Sequence, residues 1–180
     1  FNPMTIIGNP LLGSAALYLA GLALGLAWIG IVPRLARLLV APERPFPLYG
    51  VRHWAARLMA SAGHERTFNL IFGDSSLILH YLRFAGVTLD TSPRSQTGSN
   101  FGLVQRFDNT FATRIGKASM ASDGLAIANL EIGTDHATIR QIDLGENSFI
   151  GNQVLFPPGH RVGGDCLLAS RVMLPTDGPI

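Results

Sequence analysis

Between Leu144 and Leu174 an aliphatic or aromatic residue stands at every sixth position: Leu144, Ile150, Phe156, Val162, Leu168 and Leu174. Two places before most of them is a second apolar or small residue, Ser148, Val154, Cys166 and Val172, with His160 as the exception. Residues two apart share one face of a strand. Each six-residue unit therefore supplies a very short strand with two inward side chains, then a corner. Gly145, Gly151 and Gly163 follow the apolar residue, where a corner needs a positive φ or a close backbone approach. An α-helix would scatter the same residues over three faces. The period predicts a hexapeptide parallel β-helix. Ile132-Gly133 lies in the same phase, with Thr138 interrupting, and Ile115-Gly116 is one residue out of phase, so a loop or bulge is expected between them. Val87-Thr88-Leu89 reads as the first strand.

The residues before this run ask for a different solvent. Only 14% of the chain is charged and 47% is hydrophobic, against about 25% charged in an ordinary soluble domain. The excess is concentrated in Leu11 to Val32, which has no charge and no proline, and about 20 such residues span a bilayer core. Asn9-Pro10 supplies an N-cap and a favourable first turn, and Pro33 is expected to end or kink the helix. A signal peptide would have a shorter apolar region, preceded by basic residues, and residues 1–10 carry no charge. Arg34, Arg37, Arg44, Arg52, Arg57 and Arg66 all follow the segment, opposed by Glu43 and Glu65, which places the downstream side in the cytoplasm. Gly21 and Gly25 form a small-xxx-small pair that could seat a further transmembrane helix, although glycine is common in such helices anyway. A net charge of +2 and the lack of a basic, aromatic-interleaved run exclude a nucleic-acid partner. One cysteine excludes an intrachain disulfide framework. The start at Phe1 and the unfinished pattern at Ile180 read as part of a longer chain.

After Pro42, Pro45 and Pro47, the residues Val51, Trp54, Ala55, Leu58, Met59 and Ala62 fall on one helical face, with Gly63 as a stop. This helix either lies in the membrane interface with Trp54 near the headgroups or packs on its own domain. Asp74, Ser75 and Ser76 offer caps to a short helix through Leu77, Ile78, Tyr81 and Leu82, ending near Gly86. Residues 91–110 are polar and rich in turn formers, and long loops are often functional.

Four stretches have more sequence character than a bare hexapeptide: Thr97-Gly-Ser-Asn-Phe-Gly102, Met120-Ala-Ser-Asp-Gly-Leu125, Ile150-Gly-Asn152, and Asp165 to Ala169 continuing through Val172 to Pro179. With them, residues 68–180 resemble the C-terminal membrane region of ε-poly-lysine-synthetase-type non-ribosomal peptide synthetases. The resemblance implies adenylation and carrier domains upstream in the same polypeptide, then membrane helices between soluble domains. Those domains look like acyltransferases of the left-handed β-helix type, joining aminoacyl units into an isopeptide chain. It implies a carrier-attached phosphopantetheine as the source of the aminoacyl group, a bacterial inner-membrane location, and no cofactor bound by this chain itself. Relatives often carry a histidine where this chain has Phe107, between Arg106 and Asp108.

Forming an amide from a carrier thioester requires a neutral amine and support for a tetrahedral oxyanion. The candidate catalytic residues are Asp108, Asp123 and His136, with Asn100 as the substrate-binding candidate. A carboxylate could accept the amine's proton or bind a cationic, lysine-like substrate. Each has a plainer reading. Asp123 precedes Gly124 and would stabilise a turn, Asp108 and Asn100 sit in a polar loop, and His136 would serve a loop or packing role. His160 falls on the inward phase and reads as core, as does Cys166. Two separated histidines make no zinc site, so no metal is expected.

These readings divide the chain into a transmembrane helix with its flank (residues 1–33), a basic connector with amphipathic and short helices (34–86), and a mainly β hexapeptide β-helix domain (87–180). The leading function is acyl or aminoacyl transfer within a membrane-bound synthetase. The alternatives are a non-catalytic membrane scaffold for carrier docking and a coenzyme-A-dependent acetyltransferase.

Overall fold

Asn9 accepts the Leu11 N–H on its side chain at 3.1 Å, and Pro10 occupies the first turn of helix α1, Pro10–Ala36. A computed structural model describes residues 9–63, 66–73, 75–91, 97–99 and 106–175. At 1.5 Å per residue α1 is about 40 Å long. It is long and apolar enough to cross a membrane, and only 11% of its most apolar window is buried, unlike the core helix of a soluble protein. Pro33 neither ends nor breaks it: the helix continues to Ala36, with Pro33 itself buried. Proline removes the bond that would run to Ile29, and packing compensates, because Ile29, Gly30, Pro33 and Ala36 form the buried side of the helix.

The chain then turns back through a two-residue strand, β1 (Phe46–Pro47), into α2 (Val51–Gly63), α3 (Arg66–Phe72) and α4 (Leu77–Ala85). Helix α4 stops at Gly86, which takes a left-handed φ of 117°. Helix α2 buries Ala55, Ala56 and Met59 in one cluster with Ala36 and Val40, and Ala62 is buried too, but Val51, Trp54 and Leu58 are exposed. The apolar stripe predicted for this helix is thus divided, one edge packed and the other facing outward. Gly25 seats the Phe68 ring of α3 where a Cβ would stand 2.7 Å from it, while Gly21 faces open space. The small-residue pair therefore receives this chain's own phenylalanine at one position.

Beyond Gly86 the strands are β2 (Gly98–Ser99), β3 (Arg106–Phe107), β4 (Thr113–Ile115), β5 (Met120–Ala121), β6 (Ala126–Ile127), β7 (Leu130–Ile132), β8 (His136–Ile139), β9 (Ile142–Leu144), β10 (Phe149–Ile150), β11 (Leu155–Phe156), β12 (Arg161–Val162) and β13 (Leu167–Leu168). Three small parallel sheets hold them in the orders β13-β10-β5-β2, β11-β6-β3 and β12-β9-β4. The chain visits these sheets in turn, so Ile150 pairs with Leu168 three six-residue units later, and Leu144 pairs with Val162. Leu144, Ile150, Phe156, Val162, Leu168 and Leu174 are buried in one core with Ile29, Ile78, Tyr81 and Leu82 of the helices. Thr88 bridges to Arg114, with Val87 and Leu89 buried on either side.

The expectation of a mainly β chain built as a left-handed parallel β-helix is corrected by this architecture. Helix accounts for about 39% of the described residues and strand for about 20%, and the short strands form small separate sheets rather than a closed or solenoid sheet. The period fixes which side chains point inward, but it says nothing of how many residues join a ladder. Most strands contribute two. The run is also interrupted: β7 and β8 form an antiparallel hairpin extended by β1, with Phe46 opposite Ala137. Ile132, expected in phase with the coil, stands on this hairpin and is exposed.

Candidate functional site

The sheets are joined by corners, and equivalent corners lie above one another. In one column Asp123-Gly124, Asn152-Gln153 and Ser170-Arg171 follow two and three places after the inward residues Ala121, Ile150 and Leu168. Gly124, Gln153 and Arg171 all take left-handed φ values, 77°, 56° and 58°. The turns are stitched together. Gln153 N–H donates to the Asp123 carbonyl and Arg171 N–H to the Asn152 carbonyl, both at 2.8 Å. Asp123 N–H donates to Asn152 Oδ1 at 3.0 Å, and Asn152 N–H to Ser170 Oγ at 2.9 Å. Arg171 Nε donates to Gln153 Oε1 at 2.7 Å. These six residues line an open polar cleft of about 490 Å³. It presents one carboxylate and one guanidinium on a rigid support, enough to bind a group carrying both an ammonium and a carboxylate or phosphate. The N–H groups of Asp123, Asn152, Gln153 and Arg171 are already used between the corners. The period could have located Asn152, Gln153, Ser170 and Arg171, because residues at a fixed offset after each third inward position must stack.

The other candidates stand elsewhere. Asp108 is buried, its N–H donating to the Ile127 carbonyl at 3.2 Å. It adjoins a buried polar network. Asn109 Oδ1 caps the 3-10 turn Thr110–Ala112 by accepting the N–H groups of Phe111 and Ala112. Asn129 Oδ1 accepts the Asn109 N–H at 3.2 Å, and its Nδ2 donates to the Ala112 carbonyl at 2.9 Å and the Arg140 carbonyl at 3.2 Å. Thr110 Oγ1 donates to the Ala85 carbonyl at 2.6 Å, tying the turn to α4. Polar residues that read as an active loop thus satisfy backbone groups where strands, hairpin and helices meet. Asn129, fully buried, carried no signal in the sequence.

His136 is exposed on β8, its Nδ1 2.6 Å from the Asp135 carboxylate. That hydrogen bond, with the attraction of the same ring, holds the Asp135 carboxyl below its usual range. Asn100 lies outside the described residues. Asp108, Asp123 and His136 therefore occupy a buried junction, a stacked corner and an exposed hairpin, and do not form a catalytic cluster.

His160 takes its inward place, buried with its ring 6.1 Å from that of Phe156 and its Nε2 without a hydrogen-bond partner. Burial lowers its pKa, so the neutral ring is favoured. Cys166 is partly buried against the core, its Sγ donating to the Gly164 carbonyl at 3.5 Å. Among the described residues, no three His, Cys, Asp or Glu side chains are grouped to hold a metal ion.

A second polar arrangement joins the connector to the hairpin. Arg140 donates to Glu131 through Nε at 2.7 Å and to Glu43 through Nη1 at 2.9 Å, while Gln141 N–H donates to Glu43 at 2.8 Å. Partial burial acts to raise the Glu43 pKa, but the Gln141 N–H and the Arg140 guanidinium outweigh it and hold the carboxyl low. Glu131, then Glu43, raises that of Arg140. This is a clasp on the surface rather than a site. No protein family, curated protein or solved structure matches the chain.

Proposed function

We propose that this chain is the membrane-anchored part of an acyl- or aminoacyl-transferring synthetase of the non-ribosomal type, with its stacked strands on the cytoplasmic side. The corner cleft at Asp123 is then where the chain meets the group being transferred. The observation that carries this reading is the cleft itself: Asp123, within the Met120-Ala-Ser-Asp-Gly motif, lines a polar space shared with Arg171, two corners away in the same column. In that role the carboxylate attracts the ammonium of the incoming aminoacyl unit and accepts its proton, leaving the neutral amine to attack a carrier thioester. The C–S bond breaks as the amide forms; the first proton passes from the carboxylate to solvent, and the second, lost by the attacking nitrogen, is carried by the carboxylate to the departing thiolate. The arginines after α1 support the cytoplasmic orientation.

The separation of Asp108, Asp123 and His136 favours a second reading, a scaffold that holds a carrier domain at the membrane without touching the reacting atoms. Asp123→Asn keeps size and most hydrogen bonding while removing the charge. In the complete synthetase it should abolish product formation and spare adenylation, carrier loading and melting temperature. Val162→Asn, which puts an amide into the core at a cost of roughly 1–3 kcal/mol, should lower the melting temperature first. Near-normal product from Asp123→Asn would reject transfer at this cleft and leave the scaffold.

A further inference from the structure

We infer that the pocket beneath the C-terminal end of α1 binds the phosphate of an anionic glycerophospholipid, an inference that rests on α1 crossing the membrane. The pocket has a volume of about 160 Å³ and is lined by Leu38, Leu39, Arg44, Phe46 and Arg52 among others. Val40 and Phe46 form a buried floor, while Leu38 and Leu39 are 82% and 52% exposed.

The two arginines are set apart by lining one pocket without a partner, whereas Arg114, likewise unpaired, lies away from it. Arg34 donates to the Gly30 and Phe84 carbonyls and lies over the Phe84 ring, Arg37 lies over Phe111, and Arg57 over Trp54. Arg140, Arg161 and Arg171 have acidic or amide partners. Among the described residues, Arg44 and Arg52 have neither a hydrogen-bond nor an ion-pair partner. The adjacent acid, Glu43, is engaged by Arg140 and the Gln141 N–H. Two arginines therefore line one pocket with their charge uncompensated, and guanidinium is suited to bidentate phosphate binding.

Position and apolar walls select a lipid over a soluble anion. The pocket begins directly after the helix, where a membrane span meets the headgroups, and its exposed leucines match acyl chains rather than water. Trp54, Tyr49 and Val51, all exposed, extend the same margin in the manner of an interfacial aromatic belt. Anionic lipids are favoured over zwitterionic ones because a choline would bring a cation toward two guanidiniums. Basic residues at the cytoplasmic surface contribute about a fivefold preference each.

The test uses the full chain in neutral detergent, with bound lipid counted by native mass spectrometry and melting temperature followed in parallel. Dioleoyl phosphatidylglycerol should bind at least tenfold more tightly than dioleoyl phosphatidylcholine and raise the melting temperature. Arg44→Gln/Arg52→Gln should erase that preference and leave the lipid-free melting temperature unchanged. If the glutamine pair melts lower without lipid, Arg44→Lys/Arg52→Lys carries the test and must keep the preference. Equal binding of the two lipids, persistence of the preference in the glutamine pair, or its loss in a stably folded lysine pair overturns the proposal. So does an equal thermal shift from inorganic phosphate, which would make the site one for a soluble anion. Alkaline carbonate extraction from membranes is measured separately. Release there would break the spanning reading, while the lipid preference in detergent stands or falls by itself.

Discussion

In the stacked strands from Ile142 to Leu174 a residue's surroundings follow from its place in a six-residue count, whereas in the helices between Pro10 and Ala85 they follow from whatever lies across from it. The glycines show the difference. A Cβ on Gly145 would stand 2.1 Å from the Gly163 carbonyl oxygen, backbone against backbone in the next turn. A Cβ on Gly30 would meet the tip of the Phe84 ring at 2.5 Å, and one on Gly21 would meet nothing within 4 Å. Close approach in the stack is imposed by the repeat and cannot relax. In the helical part it is one side chain fitted to one gap, and the ring can swing.

This contrast can be broken by measurement, beginning with the largest effect. Gly145→Ala should destabilise the detergent-solubilised protein by about 3 kcal/mol in denaturant unfolding, since overpacking costs are greatest where the neighbour is fixed backbone. Gly30→Ala should cost about 1 kcal/mol, and Gly21→Ala should leave stability unchanged or slightly raised through helix propensity. If Gly30→Ala cost as much as Gly145→Ala, the distinction between rigid and yielding neighbours would fail.

His160 tests the stack through pH. Burial depresses its pKa in the folded state, so the unfolded chain takes up this proton first as pH falls. The stability it allows is present above the unfolded value of about 6.5 and declines as pH falls through the folded value. His160→Leu should flatten that part of the pH profile of unfolding, leaving the two proteins parallel at higher pH. A variant with the same acid slope as the parent would show that the buried ring is not its source. A small loss is expected from Arg140→Gln. Its partners are solvent-exposed, so the loss should stay below about 1 kcal/mol and shrink with added salt.

The same contrast explains what the sequence could reveal. Leu144, Ile150, Phe156 and Val162 were legible as core because a repeat gives several independent readings of one geometry. Leu11 to Val32 was legible because an uncharged run of that length has few other uses. The fold class was not, because a period counts positions and ignores the helical residues that outweigh the two-residue strands. Ile132 shared the phase by coincidence, and only the antiparallel partner Ala137 reveals a hairpin. In α2 the stripe was visible but not its division, since Ala56 joins the packed edge while Trp54 leaves it. Among the site candidates, Asp123 stays accessible at a corner. Asp108 was read from a polar stretch whose neighbours Asn109 and Thr110 serve buried backbone groups, a long-range satisfaction that local composition does not encode.

Helix α1 also divides into an exposed part and a packed part. Its first half is exposed, while Ile29 and Ala36 near its other end belong to the cores of the folded part, with residual exposures of 1% and 6%. A helix packed in this way is not a tether that can be cut away to release a finished domain. On the membrane-anchored reading proposed above, the bilayer would act as a ligand of the native state, holding in register a helix whose far end completes the packing. Whatever binds the folded form and not the unfolded one adds to its stability. On that reading, bilayer thickness and composition would enter the folding equilibrium of the strands packed on the far end of the helix.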